Sequence, residues 1–240
     1  MKSTLYKANT RGHAEHGWLN SFHTFSFAGY HNPQRMNFGA LRVFNDDTVD
    51  AGTGFGAHPH SNMEIISIPL SGALEHRDST GRHKIIRSGE VQIMSAGKGI
   101  VHSEINASQT EGVSFLQIWI IPDKQNIDPR YDQKEFPLHS HRNTFINVVA
   151  PDNPEALWIN QQCWFYMAEL SEGGVAGLDL SKPHDHGLFV FVIEGQIEVL
   201  DQILDKRDSL GLEDIGSSHV EFRAYTESKV LVIELPMKWH

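Results

Sequence analysis

Cysteine is almost missing from this chain. Cys163 stands alone among 240 residues, so no intrachain disulfide can form. That suits a reducing compartment, and the expected location is cytoplasmic. Basic residues are scarce as well. Lys and Arg number 20 against 30 Asp and Glu, for a net charge of −10. Such a chain lacks the basic face that holds nucleic-acid phosphates, so direct nucleic-acid binding is not expected. No apolar run approaches the roughly 18 residues that would span a bilayer. The opening residues, Met1-Lys-Ser-Thr-Leu-Tyr, show no apolar segment of the secretory kind. Long 3.6-residue apolar periods are absent too, which excludes a helical architecture.

Short apolar and β-branched runs take their place, with turn residues every eight to twelve positions or so. Residues 16–27 alternate aromatic and polar side chains, which predicts a strand with Phe25 and Phe27 on one face. His23 sits among those aromatics and reads as a hydrogen-bonded structural residue. Leu41–Asn45 is a short strand, and Asn45-Asp46-Asp47 reads as a turn. Ile65–Leu70, closed by Gly72, and Ala73–Arg77 follow. Ile85-Ile86 is expected to pair with Val91–Met94 across a tight turn, and Val113–Ile121 is a long strand. The polar, proline-bearing stretch 122–142 reads as a linker. Strands resume at Phe145–Val149, Cys163–Leu170, Leu188–Ile193, Gln196–Leu200, Val220–Ala224 and Val230–Leu235. The pattern predicts two all-β domains, 1–135 and 136–240, the second repeating the architecture of the first.

Two stretches carry chemistry. The first is Gly52-Thr-Gly-Phe-Gly-Ala-His58-Pro59-His60 followed by Glu64, and the second is Gly97-Lys-Gly99-Ile-Val-His102-Ser103-Glu104. Residues i and i+2 of a strand share a face, so His58 with His60, and His102 with Glu104, each present two donor atoms to one side. If the two strands adjoin, three imidazoles and a carboxylate converge, a set that suits a divalent transition metal. Pro59, lacking an N–H, fits an edge strand. Phe55, just before the histidines, is a candidate wall of the pocket. His184-Asp-His186 in the second half lacks a matching Glu and a second glycine-rich ligand stretch, and reads as a polar loop.

The two stretches resemble the paired motifs of the cupin superfamily. More narrowly, the chain is similar to pirins, in the bacterial group associated with quercetinase activity. The likeness rests on Phe22-His-Thr-Phe-Ser-Phe-Ala28, Arg42-Val-Phe-Asn-Asp-Asp47, Gly56-Ala-His-Pro-His60 through Glu64, Glu75-His-Arg-Asp-Ser79, Met94-Ser-Ala-Gly-Lys-Gly-Ile-Val-His-Ser-Glu104 and Gln117-Ile-Trp119. It is dense to about residue 135 and weak beyond. Ser95 stands where cupins usually have proline, and two extra residues precede His102; pirins share that longer loop. The resemblance implies a bicupin of two jelly-roll barrels, with metal in the first only. It carries the ligands to His58, His60, His102 and Glu104. A general cupin would use Glu64, which remains the alternative ligand or a carboxylate holding a ligand histidine by its free N–H.

Non-haem Fe(II) suits this donor set best, with Mn, Ni, Cu and Zn as alternatives. The resemblance also implies a monomeric dioxygenase that takes a small aromatic substrate and O2. It would cleave flavonols such as quercetin at the 2,3 bond with release of CO, Glu104 accepting the hydroxyl proton. A non-enzymatic, iron-dependent regulator working by protein contact is the rival reading, and a dioxygenase with another substrate is a third. Because only the first half has the complete set, elemental analysis of metal-loaded protein should give about one ion per chain. Two tightly held ions per chain would refute the single-site expectation.

Overall fold

The computed structural model describes residues 1–238. Strand makes up 57% of the chain and helix 3%, so the protein is all-β as expected. The first strands are β1 (Lys2–Tyr6), β2 (Gly12–Glu15), β3 (Leu19–His23), β4 (Leu41–Val49), β5 (Gly54–His60) and β6 (Glu64–Ser71). They are followed by β7 (Ala73–Asp78), β8 (His83–Arg87), β9 (Glu90–Ser95), β10 (Ile100–Asn106), β11 (Val113–Ile120) and β12 (Arg130–Glu135). The second half adds β13 (Ile146–Ala150), β14 (Leu157–Trp158), β15 (Trp164–Leu170), β16 (Val175–Asp179) and β17 (His186–Glu194). It ends with β18 (Gln196–Val199), β19 (Gln202–Asp205), β20 (Ser209–Glu213), β21 (His219–Ala224) and β22 (Ser228–Pro236).

Two sandwiches result, each of a seven-stranded and a four-stranded sheet. The first pairs β12-β9-β6-β11-β4-β3-β2 with β5-β10-β7-β8, and the second pairs β1-β20-β17-β22-β15-β13-β14 with β16-β21-β18-β19. The strand order repeats, which makes the internal duplication visible. The edge place that β12 takes in the first half is filled in the second by β1, paired antiparallel with β20.

The seven-stranded sheets pack back to back, and side-chain alternation divides their two faces. On β11, Leu116, Ile118 and Ile120 enter the core between the halves, together with Phe189, Phe191 and Ile193 of β17. The intervening residues face their own barrels. Leu188, Val190 and Val192 fill the second barrel with hydrocarbon. Each such buried side chain contributes roughly 1.5–3 kcal/mol, and burial on both faces explains the near-continuous apolar runs. The first barrel differs. Where Val190 pairs with Val232 in the second half, Ser67 pairs with Gln117 in the first.

Several local expectations are corrected. Asn45-Asp46-Asp47 is no turn but the middle of β4, buried, because each polar group has a partner or faces a polar interior. Asp46 meets the guanidinium of Arg11 at 3.1 Å and that of Arg207 in the other half at 3.2 Å. Strands β8 and β9 are not a hairpin. The turn between them carries the chain from the four-stranded to the seven-stranded sheet, where β9 pairs with β6 and β12. The stretch 122–142 holds β12 in addition to loop. Phe25 and Phe27 part company: Phe25 enters the core between the halves, and Phe27 lines a cavity of the first barrel.

Glu64 also faces the other way. On β6 it shares parity with Ile66 and Ile68, which belong to the interface between the halves. Its carboxylate accepts hydrogen bonds from Ser95 Oγ at 2.8 Å and from the backbone N–H of Asn160 at 3.2 Å. It reaches no histidine, so its place is the joint between the halves. Burial pushes its carboxyl up to about 7, against the pull of Ser95, the Asn160 N–H and Arg130. A raised folded pKa gives stability that is complete below the unfolded value and lost as pH rises through the folded one. Glu64→Gln removes that loss. The variant's Tm minus the wild-type Tm should therefore be more positive at about pH 8 than at about pH 5, by a few degrees. A pH-independent difference would show that Glu64 does not titrate in this window.

Candidate metal centre

The inner face of the four-stranded sheet of the first half builds the site. His58 on β5 lies opposite His102 on the adjoining β10. Alternation puts His60 beside His58, and the three rings stand with centroids 4.5–4.9 Å apart. One donor nitrogen from each lies within 4.8 Å of the others. The expected convergence of the three histidines is thus present. Strand β5 is an edge strand, which accommodates Pro59. Gly54 has φ 151°, and a Cβ there would stand 2.4 Å from the Glu104 carbonyl oxygen. No other residue lets β5 lie so close to β10.

Glu104 points into the same interior but is held differently. Its carboxylate accepts from Ser67 Oγ at 2.8 Å and from Gln117 Nε2 at 2.5 Å. It groups with His102 and with a histidine not singled out from the sequence, His76. Strand β7, on the far side of β10, places His76 opposite Glu104 and Asp78 opposite His102. Three adjacent strands thus each contribute an i, i+2 pair to one face. His76-Arg-Asp78 carried the same spacing signal as His58-Pro-His60, and could have been found by it.

Hydrogen bonds decide which ring nitrogens are free. His58 Nδ1 lies 2.7 Å from the Gly56 carbonyl, so Nδ1–H donates there and Nε2 keeps its lone pair. His76 Nε2 lies 3.1 Å from Asp78 Oδ2 and donates to that carboxylate. Its Nδ1 is then an acceptor, and His102 Nδ1, 3.4 Å away, donates to it. Among the described residues, His102 Nε2 is left buried, unprotonated and without a partner. Burial, then the neighbouring His102 and His58, pushes His60 down to about 4. Burial, then His58 and His76, pushes His102 down to about 3. Neutral imidazoles with aimed lone pairs are what a transition metal requires.

The site opens on a cavity of about 290 Å³, near the lower end for small-molecule sites. Phe55 lines it, as expected, while also packing edge-on to Trp18 at 5.3 Å. Phe27 and Trp119 form another wall, their centroids 5.4 Å apart. His23 lies behind, bonded to Asn45 at 2.9 Å, in the structural role expected of it. His184 and His186 line a separate cleft of about 620 Å³. His184 lies in the loop as expected, whereas His186 opens β17, is buried, and packs at a tilt against Trp164 at 5.6 Å.

Residues 5–120 match the family Pirin, and residues 147–235 match the Quercetinase C-terminal cupin domain. A quercetin 2,3-dioxygenase of Escherichia coli strain K12 is 40% identical over 97% of this chain and 98% of its own. The chain belongs to the pirin family. Two crystal structures agree closely with it. YhhW from Escherichia coli has a TM-score of 0.92 at 40% identity, each chain covered in full. The bacterial pirin YhhW in complex with nickel(II) has a TM-score of 0.91 at 39% identity, covering 98% of this chain and 99% of that one.

The residues of this pirin fit a bound metal on their own evidence. The orphaned His102 Nε2 and the free His58 Nε2 call for a Lewis acid, and His60 completes the triangle of rings. The histidines supply nitrogen donors, and Glu104, which groups with His102, supplies a carboxylate. The Asp78–His76 pair fixes the His102 tautomer, a support whose loss typically weakens metal binding about 10- to 100-fold. Asp78→Asn and His76→Phe should each raise the dissociation constant for Ni(II) by that factor, with unchanged far-UV circular dichroism. Wild-type affinity in both would show that the tautomer is set by the metal alone.

Proposed function

We propose that this pirin is a metal-dependent dioxygenase that cleaves flavonols such as quercetin at the 2,3 bond with O2, releasing CO. It works as a cytoplasmic monomer with one divalent ion per chain, Fe(II) suiting the donors best. One observation carries the reading. His58, His60 and Glu104 line an aromatic-walled cavity of small-molecule size, and His102, whose buried Nε2 has no partner among the described residues, stands against both of those histidines. The quercetin 2,3-dioxygenase relative, similar over nearly the whole chain, supports the substrate class.

The ion would be held by His58, His60, His102 and Glu104. Bound there, it supplies a positive centre that attracts an ionised oxygen and activates O2 chemistry. The chain's own residues do the rest. Ser67 and Gln117 hold the Glu104 carboxylate in place on the inner side of the cavity. Phe27, Phe55 and Trp119 offer flat faces to a fused aromatic ring and exclude water from around it. Gly56 and His76 keep the histidines in their binding tautomers.

Oxygen uptake with quercetin, together with detection of CO, tests the proposal. Glu104→Gln should keep part of its metal, since the three histidines stay. Its turnover, corrected for bound ion, should fall by roughly 100-fold or more, the scale on which positioned charged groups act. If protein loaded with Fe, Mn, Ni or Cu makes no CO, the quercetinase reading falls. A regulator acting by protein contact, or another substrate, then takes its place.

A further inference from the structure

The cleft that His184 and His186 line runs along the seam between the halves, away from the metal centre. Asp123, in the loop after β11, borders it from the first half. Lys2 of β1, Glu213 of β20 and Lys238 just beyond β22 border it from the second. Gln161 braces the joint there. Its Nε2 donates to the Ile121 carbonyl at 2.9 Å, and its Oε1 accepts the Gln162 N–H at 2.7 Å. A volume of about 620 Å³ falls in the middle of the range for small-molecule sites.

Two observations point to a ligand. The first is His186, which is 8% exposed and whose ring makes no hydrogen bond among the described residues. Nδ1 is sealed off without a partner, which leaves Nε2 for the cleft. Burial, against the pull of Asp185, pushes the ring down to about 4, so it is neutral. A sealed N–H without an acceptor costs more than a bare lone pair. The proton therefore sits on Nε2, and a neutral donor faces the cleft. The second observation is unpaired charge of both signs. Lys2 stands directly opposite Glu213 in the β1–β20 register, yet their side chains form no ion pair. Among the described residues, Lys238, Asp123, Asp185 and Asp214 form none either.

A simple anion here would meet four carboxylates, and a simple cation would meet two ammoniums and the His186 N–H. A metal ion finds no donor set, because among the described residues neither His184 nor His186 belongs to a group of donors within reach of one ion. A molecule that carries both signs satisfies every one of these groups. We propose that the seam cleft binds a small zwitterion of the amino-acid type, free or as a short peptide. Its carboxylate accepts from His186 Nε2 and a lysine ammonium, and its own ammonium donates to the acidic side chains.

Isothermal titration calorimetry on the full-length protein, with and without bound metal, tests this with alanine and trialanine. At least one of the two should bind. Its N-acetyl and amide forms, each lacking one charge, should bind about 10-fold more weakly or worse. Trialanine binding more tightly than alanine supports a peptide as the source of the zwitterion; the reverse, or equality, supports the free amino acid. His186→Phe keeps an aromatic ring against Trp164 and removes the donor. Lys2→Ala with Lys238→Ala removes both ammoniums and alters only exposed side chains. Each protein should bind about 10-fold more weakly, with unchanged far-UV circular dichroism and metal content. Wild-type affinity in the lysine double variant overturns the proposal even where His186→Phe fails to fold. So does a blocked form that binds as well as its zwitterion, or the failure of both zwitterions to bind. Binding that appears only with metal present also overturns it, since the ligand would then sit on the ion in the first barrel.

Discussion

An imidazole binds a metal only through a ring nitrogen that carries no proton, and much of the first barrel exists to satisfy that condition. Each ring has two nitrogens and one proton to place. For His58 the Gly56 carbonyl takes the proton's side, at 2.7 Å. For His102 the choice is made two residues away, because Asp78 fixes His76 and His76 fixes His102. Burial adds a second control by keeping His60 and His102 neutral. The cost is a buried nitrogen at His102 with no partner among the described residues.

That cost shapes the division of labour between the halves. The two barrels share a strand order, but only one can afford a polar interior. The second is filled by Leu188, Val190, Val192, Val230 and Val232, all fully buried. It needs no ligand to be stable, and its seven-stranded sheet gives the first barrel a rigid apolar backing through Phe189, Phe191 and Leu231. Strand β1 and the Asp46–Arg207 and Glu64–Asn160 contacts tie the halves further. Strands β4, β6 and β11 are therefore held from behind by hydrocarbon. They can present Asn45, Asp47, Ser67 and Gln117 inward without the sheet yielding.

Local periodicity was what the sequence made legible. A His-x-His pair on a strand needs only the two-residue alternation to be read, and His58, His60 and His102 meet where that rule put them. Glu64, which the general cupin pattern offered, marks the limit of that rule, because parity says which residues share a face but not which face looks inward. Ile66 and Ile68 belong to a second core that exists only once the halves dock. Asn45-Asp46-Asp47 was misread for a related reason: turn propensity is local, whereas the partners that let these groups be buried, Ser21, His23, Arg11 and Arg207, are distant in the chain. Strand β1 pairs with a strand some two hundred residues away, and nothing near Lys2–Tyr6 announces it. His76 was missed although its signal was present, since one histidine beside an aspartate looks like surface polarity until β10 runs next to it.

Sheet geometry then sets how the pocket can work. The donors stand on β5 and β10 of the four-stranded sheet, while Asp47 stands on β4 of the opposing seven-stranded one. Facing sheets pack about 10 Å apart, and the cavity left between their side chains here is about 290 Å³. Asp46 is paired with Arg11 and Arg207, whereas the next residue of the strand, Asp47, borders the cavity. Phe27, Phe55 and Trp119 wall the space between the sheets, and charged contacts made in such a low-dielectric setting gain strength.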